Sequence, residues 1–248
     1  MNYIKLNEMI YKENRKLYME LPFASNKWKT IQYLLYKIPD LPTSIIGEVK
    51  SINNIKNLNK FVLKNSIGHS AKNVYILHKI KPNIYHEKIR NKFFNTSHLS
   101  DIIKKSRNPF IEKQIGKSLP YDIKVHIFFG KISFFYIYKK SNGKEKARYT
   151  SDLNYINYED MFYSDSFKKS PMKENKNVIN NIKKDIIHKI FNYSLKIFSY
   201  LDPLLYCSID WLYNNVTGYY SFCELTSTPF SLSKPIKEKF ITDYNLIK

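Results

Sequence analysis

The residues best suited to chemistry lie near the C-terminal end, in Tyr206-Cys-Ser-Ile-Asp-Trp-Leu-Tyr213 and Tyr219-Tyr-Ser-Phe-Cys-Glu-Leu-Thr226. Both runs are β-rich, and Asn214-Asn-Val-Thr-Gly218 between them is a turn-forming cluster. In a hairpin centred near Thr217, residues whose numbers add to about 434 face each other, with Cβ atoms ~5 Å apart. Asp210 and Glu224 meet that condition. Two carboxylates so placed on otherwise apolar strands repel unless a cation stands between them. Mg²⁺ suits the position, because it takes carboxylate oxygens together with the phosphates of a bound nucleotide. The alternative is a register one residue away, which sends the two side chains to opposite faces and leaves one solvated at a strand end.

Two further stretches have phosphate-binding chemistry. Phe61-Val-Leu-Lys64 reads as a strand ending in lysine, followed by the small-residue loop Asn65-Ser-Ile-Gly-His-Ser-Ala-Lys-Asn73 and the return strand Val74-Tyr-Ile-Leu77. Such a loop lays backbone N–H groups over phosphates with the lysine as counter-charge. The same stretch also reads as an ordinary hairpin with Lys64 in water. In Tyr121-Asp-Ile-Lys-Val-His126, alternation puts Asp122, Lys124 and His126 on one strand face, either a wet face or one turned to phosphate. Arg148, in a loop expected to run to about residue 176, is suited to a forked contact with a carboxylate or to a loop cap. No Ser-His-Asp or Cys-His arrangement stands out, and His69 and His126, though able to assist, read first as structural residues.

The elements that must position these residues follow from periodicity. Residues 1–41 read as helices, with Trp28, Ile31, Leu34, Leu35 and Ile38 on one face and Pro39-Asp-Leu-Pro42 as the stop. Thr43–Gly47 is a short strand, 48–59 a small polar helix, and 86–105 a charged helix. Phe110–Ile115, Tyr121–Phe129 and Ile132–Tyr138 are strands. Residues 178–201 carry the strongest helical stripe: Val178, Ile179, Ile182, Ile186, Ile187, Ile190, Phe191, Leu195, Phe198 and Leu201.

With 248 residues and 43% hydrophobic composition, the chain is expected to fold around a real core. No apolar run approaches the ~20 residues of a membrane span, and the N-terminus lacks a signal-peptide core. The two cysteines, Cys207 and Cys223, are expected close together in the hairpin and free, as in a reducing cytoplasm. A net charge of +20 raises nucleic acid as a partner, but the lysines run from end to end and only Arg15, Arg90, Arg107 and Arg148 are arginines. Forked nucleic-acid contacts favour arginine, so the charge points instead to phosphorylated or acidic-sugar substrates.

Taken in order, Phe-Val-Leu-Lys64 with its loop, Phe-Ile-Glu-Lys-Gln-Ile115 with Asp-Ile-Lys124, and Asp210 with Glu224-Leu-Thr226 resemble the ATP-grasp fold. They are most similar to its TupA-like branch, of the teichuronopeptide-biosynthesis type. The resemblance covers residues 43–235. It implies an α+β fold in which two lobes with antiparallel sheets grip ATP: a reduced helical N-terminal segment at 1–42, an N-terminal lobe at 43–109 and a C-terminal lobe at 110–248. It implies that Lys64 contacts the α/β-phosphates and that Gly68, His69 and Ser70 lie in the covering loop. Glu112, Lys113 and Ile115 would read adenine at the inter-lobe hinge. Lys124 would face the transferred phosphate, with Arg148 assigned to the acceptor, and Asp210, Glu224 and Thr226 would hold Mg²⁺.

The chain departs from the pattern in two places: the phosphate loop keeps only Gly68, and the segment ahead of the Lys64 strand is short. The implied function is an ATP- and Mg²⁺-dependent carboxylate–amine ligase working in the cytoplasm through an acyl phosphate. It would join an amine or amino acid to a small-molecule or glycan carboxylate for bacterial surface polysaccharide or glycopeptide. A kinase of the same fold and an inactive nucleotide-binding scaffold remain the alternatives.

Overall fold

Two six-stranded sheets lie on either side of the chain's short 113–120 connection. The computed structural model describes residues 3–21, 23, 26–67, 73–116, 119–139, 145–156, 173–201 and 204–227. Helices α1 (Tyr3–Glu20) and α2 (Lys27–Lys37) come first, as periodicity predicts. The Asn26 side chain caps α2 by accepting from the Lys29 N–H.

The first sheet has the order β1-β6-β2-β3-β4-β5 and is antiparallel throughout. Its strands are β1 (Ile45–Glu48), β2 (Lys60–Lys64), β3 (Val74–Lys81), β4 (Ile84–Glu87), β5 (Lys92–Asn95) and β6 (Phe110–Glu112). Phe61, Leu63, Leu77, Tyr85, Phe94 and Ile111 point to one side, where Leu99 and Ile103 of α3 (Thr96–Lys105) close the core. Lys64 and Glu112 lie on the other side, facing the second sheet. Strand β6, assigned from sequence to the start of the C-terminal lobe, is hydrogen-bonded between β1 and β2 and so belongs to this sheet.

The second sheet runs β10-β9-β8-β7-β11-β12, from β7 (Tyr121–Phe128), β8 (Lys131–Lys139), β9 (Glu145–Thr150), β10 (Lys173–Glu174), β11 (Tyr206–Tyr213) and β12 (Tyr220–Thr226). One face carries Ile123, Val125, Ile127, Phe135, Ile137, Ile209 and Trp211 against α4 (Lys184–Ser199), which supplies Ile186, Ile187, Ile190, Phe191 and Ile197. Leu195, assigned to that stripe, is exposed, because its position drifts off the buried face. Ser194 takes the place, and its hydroxyl accepts from Trp211 Nε1 at 2.9 Å. The opposite face of the sheet is the polar one.

Three local readings are corrected. Residues 48–59 hold only the single 3₁₀ turn Ile52–Asn54. The span 86–105 begins as the β4–β5 hairpin, with the helix confined to α3. Its charged residues resemble a helical surface, but Asn83, at φ 63°, turns the chain into β4 and Asn91, at φ 52°, turns it into β5, and Tyr85 and Glu87 alternate inward. Arg148 lies on β9, not in a loop: Ala147 and Tyr149 face the core, which sends Arg148 to the polar side. Both cysteines are free, Cys207 buried and Cys223 partly so, but they are not the close pair expected. Cys207 precedes Ser208, which pairs with Thr226, whereas Cys223 lies three residues nearer the turn at the register shift beside Asp210. No helix among the described residues is long and apolar enough to cross a membrane.

The polar face of the second sheet is closed at one end by α1. Ile10 packs with Phe128, Phe134, Tyr136 and Tyr206. Asn14 is fully buried: its amide nitrogen donates to the Tyr206 and Ser227 carbonyls, and its oxygen accepts from the Leu205 and Tyr206 N–H groups. Removing one buried side chain that satisfies several backbone groups leaves each of them unpaired. Asn14→Leu is therefore expected to lower stability by about 3 kcal/mol. Urea unfolding checks this, and a change within experimental error would show that α1 is not anchored there.

Candidate active site

Strand register places the candidate residues in one row across the polar face. Arg148 on β9 pairs with Tyr136 on β8, Tyr136 with Lys124 on β7, Lys124 with Asp210 on β11, and Asp210 with Glu224 on β12. The next row is Thr150, Phe134, His126, Ser208 and Thr226, so Thr226 shares the face with Glu224.

The opposition of Asp210 and Glu224 depends on a β-bulge. Between the turn and the carboxylates, Tyr213 pairs with Tyr220 and Trp211 with Phe222. Carried on unbroken, that register would put Asp210 opposite Cys223 and Glu224 on the other face. Instead the ladder shifts at Asp210/Trp211, leaving Cys223 as the extra residue and bringing Glu224 opposite Asp210.

Each carboxylate already holds a lysine. Lys124 Nζ is 2.9 Å from Asp210 Oδ2, and Lys27 Nζ, from the first residue of α2, is 2.5 Å from Glu224 Oε2. Asp210 Oδ1 is buried with no hydrogen-bond partner among the described residues. Burial, together with nearby Glu224 and Asp122, outweighs Lys124 and pushes the Asp210 pKa up to about 7. For Glu224, burial works against ionisation, but Lys27, Lys124 and Lys64 prevail and hold it below the usual carboxylate range.

Two opposed carboxylates, one with a buried oxygen lacking a partner, are hard oxygen donors that fit a divalent cation, and Thr226 could add a hydroxyl. Among the described residues no cluster of three His, Cys, Asp or Glu side chains is placed to hold a metal. The donor set is therefore two carboxylates, with remaining ligands left to phosphate and water.

From the first sheet, Lys64 reaches the same place. Its Nζ lies 2.7 Å from Glu112 Oε2 and 3.8 Å from Cys223 Sγ at the bulge. Burial opposes its charge, but Cys223, Glu112 and Glu224 more than compensate and raise its pKa. Glu112, expected to contact adenine, is buried and occupied by Lys64. The Lys113 N–H donates to the Ser44 carbonyl, and Ile115 is buried. Gly68, His69 and Ser70 lie outside the described residues. His126 is buried, shares a 2.8 Å hydrogen bond through Nδ1 with the Tyr206 hydroxyl, and stacks on Phe134. Its burial, with Lys124 and Arg148 nearby, lowers its pKa well below the usual value and keeps the ring neutral and structural. Arg148 is also buried, with its guanidinium carbon 4.4 Å from the Tyr136 ring centroid.

The lobes are stapled beside this row. Phe222 N–H donates to the Pro42 carbonyl, Ser44 N–H to Ser221 Oγ and the Tyr219 hydroxyl to the Thr43 carbonyl, each at 2.8 Å. Lys27 was not singled out by sequence reasoning. Nothing local marks it in a lysine-rich chain, and only the tertiary fold brings it to Glu224.

No family model and no curated protein matches the sequence. Solved structures do resemble this one. D-alanyl-alanine synthetase A from Vibrio cholerae O1 biovar eltor is 14% identical with a TM-score of 0.53, over 88% of this chain and 60% of that one. D-alanine–D-alanine ligase from Bacillus anthracis is 16% identical with a TM-score of 0.51, over 91% and 63%, and is also solved complexed with ATP. The ATP-grasp ligase PsnB, complexed with Mg, ADP and a phosphomimetic precursor, is 11% identical with a TM-score of 0.50, over 88% and 57%. The chain has the ATP-grasp fold. It spans less than two thirds of each of these ATP-grasp structures.

The raised pKa of Asp210 has a stability consequence. The folded protein keeps this proton up to about pH 7, whereas an unfolded aspartate releases it near 4. The stabilisation is complete at low pH and lost as pH rises through the folded value. Relative to the wild type, Asp210→Asn is expected to gain about 2–3 kcal/mol between pH 5 and pH 8 without divalent ions. Denaturant titrations at both pH values check this, and a pH-independent difference would show that Asp210 titrates normally.

Proposed function

We propose that this protein is an ATP- and Mg²⁺-dependent carboxylate–amine ligase. The observation that carries the reading is the row Arg148–Tyr136–Lys124–Asp210–Glu224, facing Lys64 across the cleft of an ATP-grasp fold. That row grades from paired carboxylates at one end to the buried Arg148 guanidinium at the other. Such a gradient suits a nucleotide triphosphate at the acidic end and a carboxylate acceptor at the basic end. The solved ATP and Mg-ADP complexes of two similar structures support the nucleotide assignment.

In this reading Lys64 pairs with the α- and β-phosphates, Gly68, His69 and Ser70 cover them, and Glu112, Lys113 and Ile115 border the adenine. Asp210, Glu224 and Thr226 would hold Mg²⁺, which would offset phosphate charge, including the charge that develops on the departing ADP. Arg148 orients the acceptor carboxylate, and Lys124 stabilises charge on the transferred γ-phosphoryl group. A carboxylate oxygen attacks the γ-phosphorus and ADP departs, giving an acyl phosphate. An amine then attacks the acyl carbon, loses a proton and expels inorganic phosphate. No covalent protein nucleophile is needed; positioning, charge and exclusion of water do the work.

For the acceptor, the strongly basic surface favours an anionic partner, and the TupA-like sequence pattern points to a uronic acid or a peptide carboxylate of a bacterial surface glycan. We place the enzyme in that branch and in the cytoplasm, where ATP and amine donors are available.

Hydroxylamine traps acyl phosphates as hydroxamates, which separates a ligase from a kinase of the same fold. With ATP, Mg²⁺ and a panel of uronic acids and peptides, the wild type is expected to release ADP and form hydroxamate. Asp210→Ala and Glu224→Ala should each lower that rate about a thousandfold. ADP release without hydroxamate would indicate a kinase, and wild-type rates in both variants would remove the metal site.

A further inference from the structure

The charges at the cleft form a linked series: Lys124 on Asp210, Asp210 opposite Glu224, and Glu224 on Lys27. With Asp210 ionised, two carboxylates and two ammonium groups balance without any added ion. Lys124 is a neighbour of Asp210 in the sheet ladder. Lys27 comes from elsewhere in the chain, and its position is built with care. Asn26 caps α2, and the Asn26 amide also donates to Asn108 Oδ1 at 3.4 Å. Trp28 stacks on Phe110 with ring centroids 5.9 Å apart. The Lys27 N–H donates to the Ser66 carbonyl at 3.0 Å, and the Ser66 hydroxyl donates to the Asn108 carbonyl. The backbone of Lys27 is thus fixed to the first lobe, next to the strand end that carries Lys64, while its side chain crosses to Glu224 of the second.

We propose that Lys27 is the resident cation of the carboxylate pair. It occupies Glu224 when no divalent ion is bound, opposes entry of a bare ion, and yields when a nucleotide brings the metal together with phosphates that give the released ammonium a new partner. This rests on reading Asp210 and Glu224 as metal ligands. The physical basis is competition for one carboxylate. With the Lys27 ammonium 2.5 Å from Glu224 Oε2, a bare divalent ion entering at the same group meets a like charge at close range, and its binding weakens unless the ammonium moves away. Both Lys27 and Glu224 are partly exposed, so the pair can part without unpacking a core. A displaced ammonium with no anion nearby loses a charge-assisted hydrogen bond, whereas one beside a triphosphate regains it. The device therefore couples metal binding to nucleotide binding and disfavours a metal-only state.

Mn²⁺ serves as the probe, with free ion measured by electron paramagnetic resonance on the full chain. Without nucleotide, Lys27→Met and Lys27→Gln are expected to bind Mn²⁺ about tenfold or more tightly than wild type, while Lys27→Arg stays at the wild-type value. With a non-hydrolysable ATP analogue, the advantage of the neutral variants should vanish or reverse. Reading both neutral variants guards against one that fails to fold. Equal Mn²⁺ affinity in the wild type and the neutral variants, with Glu224→Gln weaker, would overturn the proposal and leave the metal site standing. An affinity indifferent to Glu224→Gln, or no Mn²⁺ binding by any form, would overturn the metal reading and this proposal with it.

Discussion

Two carboxylates held face to face are the constraint on which the rest of the site depends. Asp210 and Glu224 would repel if left alone, and the fold answers with an ammonium on each, Lys124 from the neighbouring strand and Lys27 from α2. The first lobe repeats the arrangement with Lys64 and Glu112, and Lys64 also reaches the bulged Cys223. The cleft is therefore a dense alternation of opposite charges. Buried ion pairs of this kind add little to stability, because desolvation offsets much of their attraction. Their persistence in a partly buried cleft speaks for binding rather than for folding.

Stability comes from the other faces of the same sheets. The second sheet buries Ile123, Val125, Ile209 and Trp211 against the isoleucine stripe of α4, and the first buries Phe61, Leu63 and Tyr85 under α3. Strand alternation then frees every second residue for the cleft. That division explains how one strand, β7, can carry Ile123 and Val125 for the core and Asp122, Lys124 and His126 for the polar face. Helix α1 uses part of that face for packing, which is why His126 became a buried structural ring.

Much of this was legible in the sequence, because period-2 and period-3.6 patterns report directly on burial. The Lys64 strand, the β7–β8 pair and the α4 helix emerge from periodicity alone. The pairing of Asp210 with Glu224 also emerges, but for an incomplete reason. The turn alone sets a register that would separate them, and the bulge at Cys223 restores the match. No sequence signal marks that bulge. Arg148 looked like a loop residue because its neighbours are polar, yet Ala147 and Tyr149 alternate around it into the core. The β4–β5 hairpin was hidden by charges that also suit a helix, and only its asparagine turns betray it. Lys27 was beyond reach, since its partner lies almost two hundred residues away and lysine is everywhere in the chain.

The central claim is that Asp210 and Glu224 make nucleotide binding depend on a divalent ion. Calorimetric titration of ATP into the purified protein, with and without Mg²⁺ and repeated on Glu224→Ala, tests it most directly. The expected result is binding that requires Mg²⁺ and is lost in the variant. ATP binding of equal strength without Mg²⁺, or undiminished in Glu224→Ala, would contradict it.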